Sequence, residues 1–399
     1  MFSPLVLDRY ADVLVWALDA SRPAPLKRGD IALVRFDLAA LDLARAVAAR
    51  LVDRGVHTLH RLNRTPGMEL DFYRGADEAQ LGFVAPGSAE LHEALGASVH
   101  LLAPDALTHL ADIDPRRIAS VARARKPLRD ILERREQEGL FSWTLCLWPT
   151  AELAAKAGLS LEDYADQVAR ACHLDDPDPV ARWREALERM GELRAWLDGL
   201  GATRLRVEAP GMDLEVTPGE ARRWLGLTGH NIPSFELYLS PDWRGTRGTY
   251  HADQPSYRGG NYVRGVRLWF EDGRVVRSRA EEGERFLHDQ IAMDGGSDKL
   301  GEFSLTDRRF SAIDRFMAMT LFDENYGGAH GNCHVALGAS YPSTYAGAQD
   351  DLTPERRREL GFNSSALHWD LVNTGPKTVT ATLPDGCRRV IYENGEFTL

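Results

Sequence analysis

Cysteine is scarce: the 399 residues hold four, Cys146, Cys172, Cys333 and Cys387, far apart and without CxxC spacing. A disulfide framework and a thiolate zinc site are both excluded. No apolar run approaches the roughly 20 residues that span a bilayer. The N-terminus lacks the basic, then apolar, then small-residue order of a signal peptide. Cytoplasmic residence with no membrane partner is the expectation. Basic side chains are outnumbered, 48 Lys and Arg against 59 Asp and Glu, for a formal charge of −11. Phosphate backbones need a basic face, so nucleic acid is not an expected partner. An acidic chain suits cationic ligands, free amino termini included. Neither GxGxxG nor GxxxxGK[ST] occurs in the N-terminal half, and Pro86-Gly87-Ser88 reads as a turn into a helix.

What is present is ordinary for a globular enzyme, with 44% hydrophobic and 27% charged residues. A chain this long exceeds one comfortable core, so two domains are expected, 1–185 and 186–399, with the boundary inside Asp175–Gly201. The first half alternates strand-like and helix-like segments. Strands are expected at Ile31–Phe36, Val56–Leu62, Val99–Leu102 and Trp143–Leu147. A helix capped by Asp37 and stopped at Gly55 follows the first of them, and more helices are expected at Ala89–Leu95, Pro115–Gln137 and Thr150–Ala157. That alternation predicts an α/β domain with a mostly parallel sheet. Beyond Ala202 the texture changes to hairpins: Arg204–Glu208 with Met212–Val216 across Ala209-Pro210-Gly211, then Asn261–Phe270 with Arg274–Arg279. An α+β second domain follows, largely antiparallel, with helices at Ala280–Gln290 and around Ser311–Met319.

One stretch organises that second half. Ser364–Val372 reads as a short half-buried strand in which Leu367, Trp369 and Leu371 alternate with His368 and Asp370. Residues two apart share a face, so the imidazole and the carboxylate project together, away from the apolar side. Such a pair is half of a metal site or an acid/base pair, although alone it is also a common surface pairing. Other stretches put polar residues where apolar ones are expected: Glu236 in a proline-bounded apolar strand, Glu302 beside Gly301, Glu324 ahead of a glycine-rich loop, then His334 and Tyr341. Together they offer oxygen and imidazole donors and no thiolate, a set suited to a pair of divalent ions such as zinc, cobalt or manganese.

The motifs Asn-Ile-Pro-x-x-Glu ending at Glu236, Leu-Gly-Glu ending at Glu302, Leu-Phe-Asp-Glu-Asn around Glu324, Cys-His-x-Ala-Leu-Gly around His334, Tyr341-Pro342 and Ser-x-x-His-x-Asp occur in that order. In this the chain resembles the aminopeptidase T family, also called aminopeptidase S, of cytoplasmic metallo-aminopeptidases. The resemblance is clear from about Arg206 to the C-terminus. It implies that Glu236, Glu302, His334, His368 and Asp370 are metal ligands, that Glu324 is a ligand or the general base, and that the protein is a homodimer. The loop Tyr326–Asn332 is longer than in short family members, which leaves open how Glu324 sits relative to His334 and brings His330 in as an extra site residue or a surface one.

The residue types support a mechanism. Two divalent ions per chain (zinc, cobalt, manganese or magnesium), held by these residues, would lower the pKa of a bound water towards about 7 and polarise a carbonyl. One of them could also bind the α-amine of the substrate, which would fix cleavage of peptides at their free N-terminus. Tyr341 donates to the developing oxyanion and Glu324 passes the proton to the leaving amine. The alternatives are a dinuclear metal phosphoesterase, against which stands the lack of an Arg or Lys cluster in the motifs, and a non-catalytic α/β binding protein.

Overall fold

In the computed structural model, which describes residues 2–399, the chain divides into two compact units. One runs to Trp183 and also includes Thr228–Pro233, and the other consists of Arg184–Leu227 and Ser234–Leu399. Among the described residues, no helix is long and apolar enough to cross a membrane.

The first unit is built on a five-stranded parallel sheet in the order His57–Leu62, Ile31–Phe36, Ala97–Leu102, Ser142–Leu147, Asn231–Ile232. Its central strands are largely buried and read as apolar runs, as strands covered on both faces do. Helices alternate with them, as the sequence pattern predicts. The helix Pro4–Ala20 opens with a serine cap, Ser3 accepting from the Val6 amide at 3.4 Å, and Pro4 in the first turn. Asp37 does a different job from the one expected. Its carboxylate accepts from the Ala103 amide (2.7 Å) and from the Asn63 side chain (2.8 Å), tying three strand ends together. A 3₁₀ turn, Leu38–Ala40, therefore precedes the helix Leu41–Asp53.

The second unit holds two antiparallel sheets. The larger runs Arg274–Arg279, Val266–Glu271, Asp242–Ala252, Met212–Thr217, Arg204–Ala209, Thr378–Thr382, Arg388–Glu393, Glu396–Phe397. The smaller runs His368–Asn373, Asn332–Gly338, Leu300–Thr306, Glu236–Leu239. One face of the smaller sheet is apolar and buried: Trp369 and Leu371, Val335 and Leu337, Phe303 and Leu305, Leu237 and Leu239. Tyr250 reaches it from the larger sheet, its buried hydroxyl within hydrogen-bond distance of the Cys333 (2.9 Å) and Leu371 (2.7 Å) carbonyls.

Four local expectations change. No helix forms over 311–319, because side chains take its amides: Ser311 Oγ accepts from Ile313, and the Asp323 carboxylate accepts from Met317 (2.7 Å) and Met319 (2.9 Å). The only helical turn nearby is Thr320–Asp323. Asn261–Phe270 is two strands, broken at Gly265 (φ +65°), and the first of them pairs with Ser256–Arg258. The next helix begins at Glu284 behind the left-handed Gly283, not at Ala280. Asn231–Ile232 joins the parallel sheet, and the proline-bounded stretch expected as a strand is one only over Glu236–Leu239.

Candidate metal centre

The second face of the small sheet collects the polar residues, and its register shows how. Directly paired residues lie on the same face. His368 pairs with Gly338 and Asp370 with Ala336, which also pairs with Glu302. His334 pairs with Ser304, and Thr306 with Glu236. Between the charged side chains the face is thus paved with Gly338, Ala336 and Ser304, small residues that leave room above the sheet. Gly338 admits no replacement: its φ is +107° and a Cβ would lie 2.1 Å from the Leu367 carbonyl oxygen.

Glu302 is the hinge of the geometry. Its Oε1 lies 3.2 Å from His334 Nε2, and its Oε2 lies 3.4 Å from His368 Nε2. His334 Nε2 is also 3.2 Å from Glu236 Oε2, and His368 Nε2 is 3.4 Å from Asp370 Oδ1. Two three-residue groups of donor atoms result, Glu236–Glu302–His334 and Glu302–His368–Asp370, sharing Glu302. His368 is oriented from behind, its Nδ1 donating to the Ala339 carbonyl at 2.9 Å, which turns Nε2 into the cluster. Ser304 Oγ donates to Glu236 Oε2 at 3.1 Å. Cys333, next to His334 in sequence, lies on the apolar face, and burial pushes its thiol up to about 11.

Burial works against the charged form of every member of this cluster. For His334 the hydrogen bonds to Glu236 and Glu302 outweigh it, and the imidazole is raised well above its ordinary value. His368 is raised for the same reason, chiefly by Asp370. Burial is likewise outweighed at Asp370, which His368 draws down to about 2. At Glu236 burial prevails and the carboxyl is raised. Each imidazolium proton sits between carboxylates, where a metal cation would be equally well placed.

Glu324 follows the turn Thr320–Asp323, and side-chain amides fix it: Asn332 donates to its carbonyl at 2.9 Å, and Asn325 accepts from the Phe235 amide one residue before Glu236. Its carboxyl is raised well above the ordinary range, by burial first and then by Glu236 and Asp370. It is thus electrostatically linked to the cluster, although it belongs to neither three-residue group. Tyr341 is 40% exposed, its ring 4.7 Å from that of His368 and 5.7 Å from that of Tyr238. His330 is in neither group. Sequence reasoning missed Ser304, the Ala339 carbonyl and Arg258, whose charge Asp370 stabilises. Only the period-two spacing of Ser304 from Glu302 offered a signal.

A family model described as thermophilic metalloprotease (M29) matches residues 5–397. The chain belongs to this family. Aminopeptidase 2 of Geobacillus stearothermophilus is 28% identical over 415 residues, covering 98% of this chain and 97% of that protein. Aminopeptidase T of Thermus thermophilus is 28% identical over 296 residues, 70% of each. The solved structure of wild-type AmpT from Thermus thermophilus shares the fold, with a TM-score of 0.81 at 23% identity over 98% of this chain and 99% of that one. As an M29 metalloprotease the protein uses divalent metal, and its residues fit one. Three carboxylates, Glu236, Glu302 and Asp370, face two imidazoles in a largely buried cluster, Glu324 is buried and coupled to it by charge, and His334 Nδ1 is buried without a hydrogen-bond partner among the described residues. Excess buried negative charge with mixed oxygen and nitrogen donors is what a hard or borderline divalent cation neutralises.

Proposed function

We propose that this metalloprotease is an aminopeptidase that removes residues from the free N-terminus of peptides with two divalent cations per chain, zinc, cobalt, manganese or magnesium. Glu236, Glu302 and His334 would hold one cation, and Glu302, His368 and Asp370 the other. The observation that carries this reading is Glu302, whose two oxygens face two different histidines. Cations in such a pair acidify water and polarise a carbonyl. The remaining work falls to the chain's own groups. Glu324, held beside the cluster by the two asparagines, takes up the water's proton and returns it to the leaving amine. Tyr341, at the exposed rim above His368, donates its hydroxyl to the developing oxyanion. The acidic face draws in the substrate's amino group, which sets the register at the first peptide bond.

We also place the protein in the cytoplasm as a homodimer. Its four cysteines are free thiols, the state a reducing compartment maintains, and the dimer rests on the family resemblance and is checked by sedimentation. The enzymatic reading is tested on one peptide in free and N-acetylated forms, with metal-stripped protein and each cation restored in turn. Stepwise N-terminal loss from the free form alone, only with a cation present, is expected. Internal cleavage, or equal cleavage of both forms, contradicts it.

A further inference from the structure

Beside the edge strand that carries His368 and Asp370 stands a small hairpin, Ser256–Arg258 paired with Asn261–Val263. Its turn is Gly259-Gly260, both left-handed (φ +53° and +75°), the pattern of a tight two-residue loop. The hairpin is pinned to the edge strand, where Trp369 Nε1 donates to Ser256 Oγ at 3.0 Å. Arg258, two residues along the same hairpin face, places its guanidinium 5.8 Å from the Trp369 ring centroid.

Arg258 is half-buried, yet among the described residues it has neither a hydrogen bond nor an ion pair. Its neighbours differ: Arg264 contacts Glu281 and Glu282, Arg274 contacts Asp298, and Arg279 contacts Glu284. Burial lowers its pKa, and Asp370 is the charge that opposes this. A guanidinium offers five donors in a planar fork, and here no side chain or carbonyl of the described residues takes any of them, which leaves the fork open to solvent or to a ligand. That fork matches a carboxylate in bidentate fashion.

We propose that Arg258 is a specificity residue that binds a carboxylate of the substrate, either the C-terminus of a di- or tripeptide or an acidic side chain beside the scissile bond. The inference rests on the aminopeptidase reading. With the amine drawn to the acidic face and the carboxylate held by Arg258, peptides short enough to span the two are favoured.

The test compares Arg258→Met and Arg258→Lys with the wild-type enzyme loaded with cobalt, on leucylglycine, leucylglycine amide and leucylglutamate amide. For a C-terminal carboxylate, the KM of leucylglycine relative to its amide rises about ten- to a hundredfold in the Met variant, the range expected for a lost charge-assisted contact, with the Lys variant intermediate. For a side-chain carboxylate, the same rise is read on leucylglutamate amide relative to leucylglycine amide. Either result supports the proposal. Equal losses on all three substrates make Arg258 only a counter-charge for Asp370 and overturn it, as do unchanged ratios. Wild-type protein inactive on every leucyl substrate overturns the aminopeptidase reading first, and this inference with it.

Discussion

Two of the strands that carry a histidine two residues from a polar partner give opposite results. In the parallel sheet Ser98 and His100 share a face, and the hydroxyl lies 3.0 Å from the imidazole Nε2. Directly across from His100 is Arg35. Burial, with Arg35 adding to it, drops His100 to about 4, so it is a neutral, satisfied side chain at physiological pH. In the antiparallel sheet His368 and Asp370 have the same spacing, but across from them are Gly338 and Ala336, and beyond those Glu302. There the imidazole is raised. The spacing is identical but the partner is not: the Asp370 carboxylate does most to raise His368, where Ser98 offers only a hydroxyl, and the cross-strand neighbours add to the difference, Arg35 on one pair and small residues with Glu302 on the other.

The largest effect that separates the two comes from removing the histidines. His334→Ala and His368→Ala are each expected to lose bound metal and about 10³-fold in kcat/KM, roughly 4 kcal/mol of barrier lowering. His100→Ala should stay within about twofold. Metal analysis beside steady-state rates checks this, and a His368→Ala enzyme with full metal content and turnover breaks the comparison. Next, Tyr341→Phe should lower kcat about 10²- to 10³-fold with metal content unchanged, since an oxyanion donor acts in the transition state. An unaltered kcat makes Tyr341 merely a ring packed on His368.

The smallest effect belongs to His100 and appears in stability. The unfolded chain protonates this residue near pH 6.5 and the folded chain only near 4. Its contribution is thus complete above about pH 6.5 and is lost as pH falls towards 4, on the order of 3 kcal/mol. Urea midpoints at pH 7 and pH 5 should differ less in His100→Gln than in wild type. An identical pH dependence would show that the proton is taken up elsewhere.

The comparison also explains what the sequence could say. Alternation along Leu367–Leu371 was enough to put His368 and Asp370 on one face, and the alternating pattern of the first half was enough for the parallel sheet. Register between strands is not written locally. That Gly338 and Ala336 face the pair, or that Glu302 reaches both histidines, depends on pairings across roughly 30 residues of chain or more. The absent helix at 311–319 has the same cause, since the Asp323 carboxylate that takes its amides lies beyond the segment whose periodicity suggested it. Arg258 gave no signal because an arginine before Gly-Gly reads as a solvated turn. Its meaning comes from the tryptophan it overlies, more than a hundred residues away.

The central claim is that Glu302 is shared by two cation sites. Calorimetric titration of chelator-stripped protein with zinc tests it most directly, run on wild type and on Glu302→Gln. Two ions per chain in the wild type, with both sites weakened in the variant, is the result this account predicts. A single ion per chain, or a Glu302→Gln variant that still binds one ion with wild-type affinity, would contradict it.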